Sequence, residues 1–391
     1  MLANFEDSCV AFRRYSTSDL KIAKILFDVI KYPVITKIGV SITKASMALD
    51  LPIETIIKRT LFRQFCGGTS LKEAGLTAQN LRQFDVQVIL DYGVESKGNE
   101  EEFENNVLNL TEAVSYASEK GIPFISVKVT ALARFKLLEH IHNKAVLSDA
   151  EYSEWQKVEQ RMDRICLAAA HKKVKVLIDA EETWIQEAVN SLTEKMMERF
   201  NKSEVVVYNT FQMYTRGAVS YLKECIAIAR KKNYLLGVKI VRGAYMEKER
   251  RRAEKYGYPD PIQVDKTSTD KDFDEATDFC MNNLDSLHLF IGTHNEASCL
   301  KAIALMEQLN IPTNSDRVYF SQLYGMSDNI SFNLAQNGYR VAKYLPYGPV
   351  EDVIPYLMRR AQENTSVAGQ SGRELMLITK ELKRRKTEKP I

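Results

Sequence analysis

Eight short apolar runs, rich in β-branched and aromatic residues and separated by longer charged stretches of helical periodicity, lie between residues 86 and 345. They are VQVILDY (86–92), FISVKV (124–129), VKVLID (174–179), EVVVYN (204–209), LLGVKIV (235–241), LHLFIGT (287–293), RVYFSQ (317–322) and RVAKYL (340–345). Between them stand stretches such as EEFENNVLNLTEAVSYASEKG, SEWQKVEQRMDRICLAAAHKK and NEASCLKAIALMEQLN, which carry apolar residues at helical spacing. Eight rounds of strand then helix predict an α/β fold, a (β/α)8 TIM-type barrel. A doubly wound open sheet would alternate in the same way, but its dinucleotide-binding form normally carries GxGxxG after an early strand, and that triplet is missing here.

The flanks read differently. Residues 1–82 carry helical signals and no strand signal. SDLKIAKILFDVIKYP follows a Ser/Asp cap and stops at Pro33, and IETIIKRTLFRQFCGG ends in two glycines. Residues 371–391 form a basic helix whose Leu375, Ile378 and Leu382 share a face, which is expected to dock onto the barrel. The expected organisation is therefore a helical region (1–82), a barrel (83–370) and a C-terminal helix (371–391).

A hydrophobic share of 45% over 391 residues supports a large core. A net charge of +3 with interspersed signs gives no reason to expect nucleic acid as a partner. The basic runs Arg250–Arg252 and Lys383–Lys386 read as solvated helix faces. Six cysteines without a CxxC pair fit buried thiols in a reducing compartment. The start MLANFEDSC argues against a signal peptide, and no stretch approaches the length of a membrane span. These features fit a cytoplasmic protein, one peripheral to an inner membrane if bacterial, or a processed chain on the matrix side of a mitochondrion.

In a barrel of this kind the chemistry sits at the C-terminal ends of the strands. Lys128 lies in the second run, where burial of an ammonium demands a carboxylate or a catalytic purpose, and Asp179 at the end of the third is its expected partner. Lys239 and Arg242 end the fifth run, Thr293, His294 and Asn295 the sixth, and Tyr344 falls in the eighth. Five histidines, of which only His294 stands at a strand end, are too few for a catalytic metal. A Ser-His-Asp nucleophile is disfavoured because GxSxG does not occur. A Schiff-base lysine, Lys128 or Lys239, remains open on this pattern.

After the eighth run comes KYLPYGPVEDVIPYLMRRAQEN, residues 343–364. On a helix its Tyr356, Arg359, Arg360 and Glu363 fall at i, i+3, i+4 and i+7 and share a face. Two planar guanidiniums there suit bidentate binding of a small carboxylate, with Glu363 offsetting one charge. The alternative is an exposed salt-bridge face of little energetic consequence.

The segments ISVKVTAL, LIDAEET, VYNTFQMY, KIVRGAYMEKER, THNEAS, FSQLYGM and KYLPYGPVEDVIPYLMRRAQEN, in that order, resemble the proline dehydrogenase family, in its single-function eukaryotic-like branch. The resemblance implies FAD-dependent oxidation of L-proline to Δ1-pyrroline-5-carboxylate, with a quinone as electron acceptor and possible peripheral membrane contact. It assigns Arg359, Arg360 and Lys128 to the substrate carboxylate. Tyr344, Tyr356, Leu323, Ala244 and Tyr245 are assigned to the substrate pocket, with Asp179 hydrogen-bonded to Tyr344. Gln212 and Lys239 are assigned to the isoalloxazine, with Lys239 standing where many bacterial relatives carry arginine. Asp179, Ala180, Val241, Arg242, Gly243, Thr293, His294 and Glu363 complete the cofactor set, and Asp179, Lys239 and Tyr344 the catalytic one. The alternatives are a hydroxyproline dehydrogenase of the same family, which the bulk of Tyr344 beside the substrate C4 disfavours, a Schiff-base aldolase barrel, and a non-catalytic binding barrel.

Overall fold

The computed structural model describes residues 3–30, 58–93, 98–354, 356–357 and 370–388. Eight strands close into one parallel barrel in sequence order: β1 (Val86–Tyr92), β2 (Phe124–Val127), β3 (Lys175–Ile178), β4 (Val207–Gln212), β5 (Leu236–Val241), β6 (Leu287–Gly292), β7 (Val318–Leu323) and β8 (Val341–Tyr347). The expected barrel is therefore present, and seven of the eight runs hold their strands to within two residues at either end.

The exception is the fourth run, whose strand starts three residues later than EVVVYN implies. Asn201 explains the shift. Its side-chain oxygen accepts from the backbone N–H groups of both Val206 and Val207 at 2.9 Å, and its amide donates to Val207 O at 2.8 Å. Those bonds hold the start of the run in a turn, so the ladder with β3 is in register only from Val207.

Chain contacts divide the molecule into two compact units, residues 89–321 and residues 1–88 with 322–391. In the first, Phe124, Tyr208 and Phe290 come from β2, β4 and β6, which are not hydrogen-bonded neighbours. Their rings nevertheless meet, Phe124 and Tyr208 each edge-on to Phe290 with centroids 4.8 and 5.4 Å away, and Tyr319 stacks on Phe290 at 4.9 Å. Side chains from alternate strands that touch must cross the barrel interior, so these rings form a packed layer rather than a pore. Around the strands run the helices Glu100–Lys120, Asp149–Lys172, Thr183–Phe200, Ala218–Lys232, Lys266–Met281 and Glu296–Gln308. Asp149–Lys172 begins with a reciprocal capping box between Ser148 and Glu151.

The second unit has its own apolar core. Phe12, Leu20, Ala23 and Phe27 from the N-terminal segment pack with Phe62, Phe65, Met326, Val350, Val353, Tyr356, Leu357, Leu377 and Ile378. The helix Thr17–Ile30 follows Ser16, whose hydroxyl accepts from Asp19 N at 3.1 Å. The C-terminal helix Gln370–Thr387 lays Leu377 and Ile378 into this core, with Leu375 and Leu382 beside them, so its apolar face meets the N-terminal helices. Two of its basic side chains are also spent within the chain. Arg384 and Arg385 pair with buried Glu381, and Arg385 donates to Tyr15 O and Phe12 O. Five of the six cysteines are buried as expected, while Cys9 is exposed.

Candidate active site

At the strand ends of the unit 89–321, four charged side chains alternate in sign. Asp91 is the last but one residue of β1, Lys128 follows β2, Asp179 follows β3 and Lys239 lies within β5. Lys239 Nζ is 2.6 Å from Asp179 Oδ1. Lys128 Nζ stands 3.5 Å from Asp179 Oδ2 and 3.5 Å from Asp91 Oδ1. Ser126, the register partner of Asp91, donates to that carboxylate at 2.8 Å. The Lys128–Asp179 partnership expected from sequence is present, but the shorter bond to Asp179 comes from Lys239.

The row carries two negative and two positive charges, so burial does not leave a net charge to be paid for in low dielectric. Burial acts to neutralise Lys128, but Asp91 and Asp179 outweigh it and hold the ammonium above its ordinary range. Two carboxylates within 3.5 Å favour its charged form, which argues against Lys128 as a Schiff-base nucleophile, because that role requires a lowered pKa.

The residues expected at a cofactor lie nearby in sequence and topology. Gln212 ends β4 and donates to Glu181 O at 2.8 Å. Arg242 spends its guanidinium on Asp270 at 2.7 Å, Thr293 Oγ1 at 2.8 Å and Ser298 Oγ at 2.9 Å, with the face of Phe273 4.4 Å away. It thereby ties the loop after β5 to the segment after β6. Val241, Ala180 and His294 are half-buried and Ala244 is exposed. Tyr245 donates its backbone N–H to Tyr214 Oη at 3.4 Å. Gly243 has φ 135°, a region that L side chains rarely adopt, and a Cβ there would lie 2.4 Å from the Tyr214 ring.

The sequence left out Asp91, Glu181 and Asp270, which the structure places beside these groups. The signal for Asp91 was a carboxylate one place from the end of VQVILDY, close to the placement of Asp179, which ends VKVLID. Glu181 is buried, and its carboxyl accepts from Thr130 N at 3.1 Å and from Thr130 Oγ1 at 2.5 Å. Burial pushes its acid up to about 7, against the lowering effect of the Thr130 hydrogen bonds. Between the usual value of 4.5 and about 7 the folded chain thus holds a proton that the unfolded chain releases. Stability from this group falls as pH rises through that window, by about 3 kcal/mol in total at 1.36 kcal/mol per unit. Glu181→Gln should therefore gain stability relative to wild type between pH 4.5 and 8. Thermal unfolding across that range checks it, and parallel curves for the two proteins would refute it.

In the unit 1–88 with 322–391, Leu323 ends β7 and is half-buried, as is Tyr344 in β8, and Tyr356 is buried in the unit's core. Tyr344 O accepts from Tyr324 N at 2.9 Å. Arg359, Arg360 and Glu363 lie outside the described residues.

The proline dehydrogenase family model matches residues 74–373. The chain belongs to the proline dehydrogenase family. Among family members it is 31% identical over 384 residues to "Proline dehydrogenase 1, mitochondrial" of Dictyostelium discoideum, covering 87% of this chain and 67% of that one. It is 33% identical to "Hydroxyproline dehydrogenase" of Xenopus laevis, covering 98% and 90%. Among solved structures, proline utilization A from Bdellovibrio bacteriovorus aligns with a TM-score of 0.74 at 19% identity. That alignment covers 96% of this chain and 40% of the other, and supports the barrel fold.

Proposed function

We propose that this proline dehydrogenase family member binds FAD at the barrel mouth and oxidises L-proline to Δ1-pyrroline-5-carboxylate. The observation that carries the reading is the Asp91–Lys128–Asp179–Lys239 row at the strand ends, in a chain of this family. In the net reaction a hydride leaves C5 and a proton leaves nitrogen, and the C=N bond forms between them.

The residues present suit the cofactor. A cationic Lys239, the donor amide of Gln212 and the hydroxyl of Thr293 favour an acceptor-rich, anionic group, and the tight backbone at Gly243 leaves no room for a side chain against Tyr214. FAD, when bound, supplies the two-electron acceptor. The chain's own task is positioning and electrostatics. Lys128 presents a fixed cation to the substrate carboxylate, with Arg359 and Arg360 as the proposed clamp. Asp179 keeps both lysines in place. Lys239 lends positive charge where negative charge develops on reduction.

Quinone is the proposed second substrate, with contact at a membrane surface. Among the described residues no helix is long and apolar enough to cross a membrane. Relatives named mitochondrial support a mitochondrial location, for which the matrix side is proposed.

A second reading, oxidation of hydroxyproline, is favoured by the near full-length match to the Xenopus enzyme. Tyr344 argues for proline. Anaerobic addition of L-proline and of trans-4-hydroxy-L-proline to the purified flavoprotein separates them. Bleaching by proline at the lower concentration is expected, the reverse order would favour the second reading, and no flavin band even after adding FAD would sink both. Arg359→Ala should raise KM for L-proline by about 10- to 100-fold, as expected when a charged hydrogen-bond partner is removed. An unchanged KM would take Arg359 out of the clamp.

A further inference from the structure

The least expected feature of the unit 1–88 with 322–391 is a lysine with no solvent exposure in the last strand. Lys343 immediately precedes Tyr344 in β8, and consecutive strand residues point to opposite faces. Its side chain is 0% exposed. The ammonium stands 2.7 Å from Asp328 Oδ1 and donates to Met326 O at 2.6 Å and Leu323 O at 3.4 Å. Among the described residues its hydrogen bonds and ion pair thus go to the turn 323–326 and the residue that opens the helix Asp328–Gln336.

The N-terminal segment completes the cluster from outside the barrel. Tyr15 Oη donates to Asp328 Oδ2 at 2.8 Å, and Arg14 stands 3.4 Å from the same oxygen. Arg14 also donates to Tyr324 Oη at 3.3 Å and lies over the Tyr15 and Tyr324 rings at 4.1 and 5.1 Å. Burial works against the Asp328 charge, but Lys343 and Arg14 outweigh it and hold the carboxyl below its ordinary range. From a third direction Gln64 Nε2 donates to Gly325 O at 2.8 Å. Three of the four turn carbonyls, those of Leu323, Gly325 and Met326, are therefore held by side chains, in a segment four residues long.

We infer that Arg14, Tyr15, Asp328 and Lys343 are positioning residues that set the turn 323–326, so that the N-terminal segment tunes which imino acid ring the enzyme accepts. The inference rests on the reading above, in which Leu323 and Tyr344 pack around that ring. The turn is itself largely buried, and charged groups withdrawn from water are a costly way to hold a turn that needed only stability, since apolar side chains of similar size would serve. Their directional bonds fix the turn in one geometry, and Leu323 is its first residue.

The test measures kcat and KM for L-proline and trans-4-hydroxy-L-proline, with Tm, for wild type, Tyr15→Phe and Lys343→Met. Tyr15→Phe removes one hydroxyl and keeps the ring, so it remains informative if Lys343→Met does not fold. The expected result for Tyr15→Phe is a KM for L-proline raised about fivefold with kcat within about twofold, and a changed ratio of the two kcat/KM values. Lys343→Met, where it folds, should move the same quantities further. A lowered Tm with wild-type KM and an unchanged ratio would overturn the inference alone. A wild type that oxidises neither imino acid would overturn the underlying reading, and this inference with it.

Discussion

Asp179→Ala should cost the enzyme about 100- to 1,000-fold in kcat/KM for L-proline, the scale on which loss of a preorganised electrostatic group acts. It should also destabilise the fold by about 3–5 kcal/mol, because removal of one partner strands buried charge. The argument is geometric. One carboxylate serves two lysines, through Oδ1 to Lys239 at 2.6 Å and through Oδ2 to Lys128 at 3.5 Å. Side-chain exposures of 14% for Asp179 and 8% for Lys239 leave little water to take over as partner. Lys128 retains Asp91, so the heavier damage falls on Lys239, the residue proposed to stand beside the cofactor. Asp179→Asn keeps the shape and one acceptor oxygen and should lie between wild type and the alanine variant. Steady-state kinetics with thermal unfolding decide the matter. An alanine variant within threefold of wild-type activity and of unchanged Tm would remove Asp179 from the site.

The second large effect is expected at Gly243. Alanine there would hold φ 135° against its own side chain, and its Cβ would stand 2.4 Å from a buried aromatic ring. Strain and overpacking together should cost about 3 kcal/mol or more. The ring belongs to Tyr214, whose N–H donates to Arg242 O at 2.8 Å and whose hydroxyl accepts from Tyr245 N. Any displacement therefore moves the whole loop from Arg242 to Tyr245. Gly243→Ala should purify with a lower ratio of flavin to protein and a lower Tm. A full complement of flavin at wild-type Tm would show that this backbone is not part of the cofactor's cradle.

Much of this architecture was legible beforehand, for a physical reason. A strand buried on both faces must be nearly continuous in apolar residues, and a helix covering it must repeat at 3.6, so each element signals itself locally. EVVVYN shows where that logic stops. Val205 and Val206 are as apolar as the rest of the run, but the Asn201 side chain claims the backbone donors of Val206 and Val207 and delays the strand. A side chain several residues upstream made that decision, and no local pattern records it.

Candidate site residues divide along the same line. Lys128 and Asp179 stood out because a charge in or at the end of an apolar run needs an explanation, and the structure pairs them. Asp91 carried the same signal and was overlooked. Glu181 and Asp270 carried none, since they lie in polar stretches where carboxylates are ordinary. Only the fold reveals that Glu181 is buried against Thr130, or that Asp270 holds Arg242.

The sequence by itself determined the barrel, its strand count and the strand-end positions from which a site is built, because these follow from period, length and the placement of charge. Tertiary structure alone decided how the charges pair. One carboxylate came to hold two lysines from different strands, and the arginine after β5 was tied to the segment after β6. It also brought the turn between the N-terminal helices onto a buried carboxylate. Arg14 and Tyr15 close on Asp328 across more than 300 residues of chain, and Lys343 reaches the same carboxylate from the last strand. Contacts between residues so distant in sequence depend on the whole path of the chain between them, which no local pattern encodes.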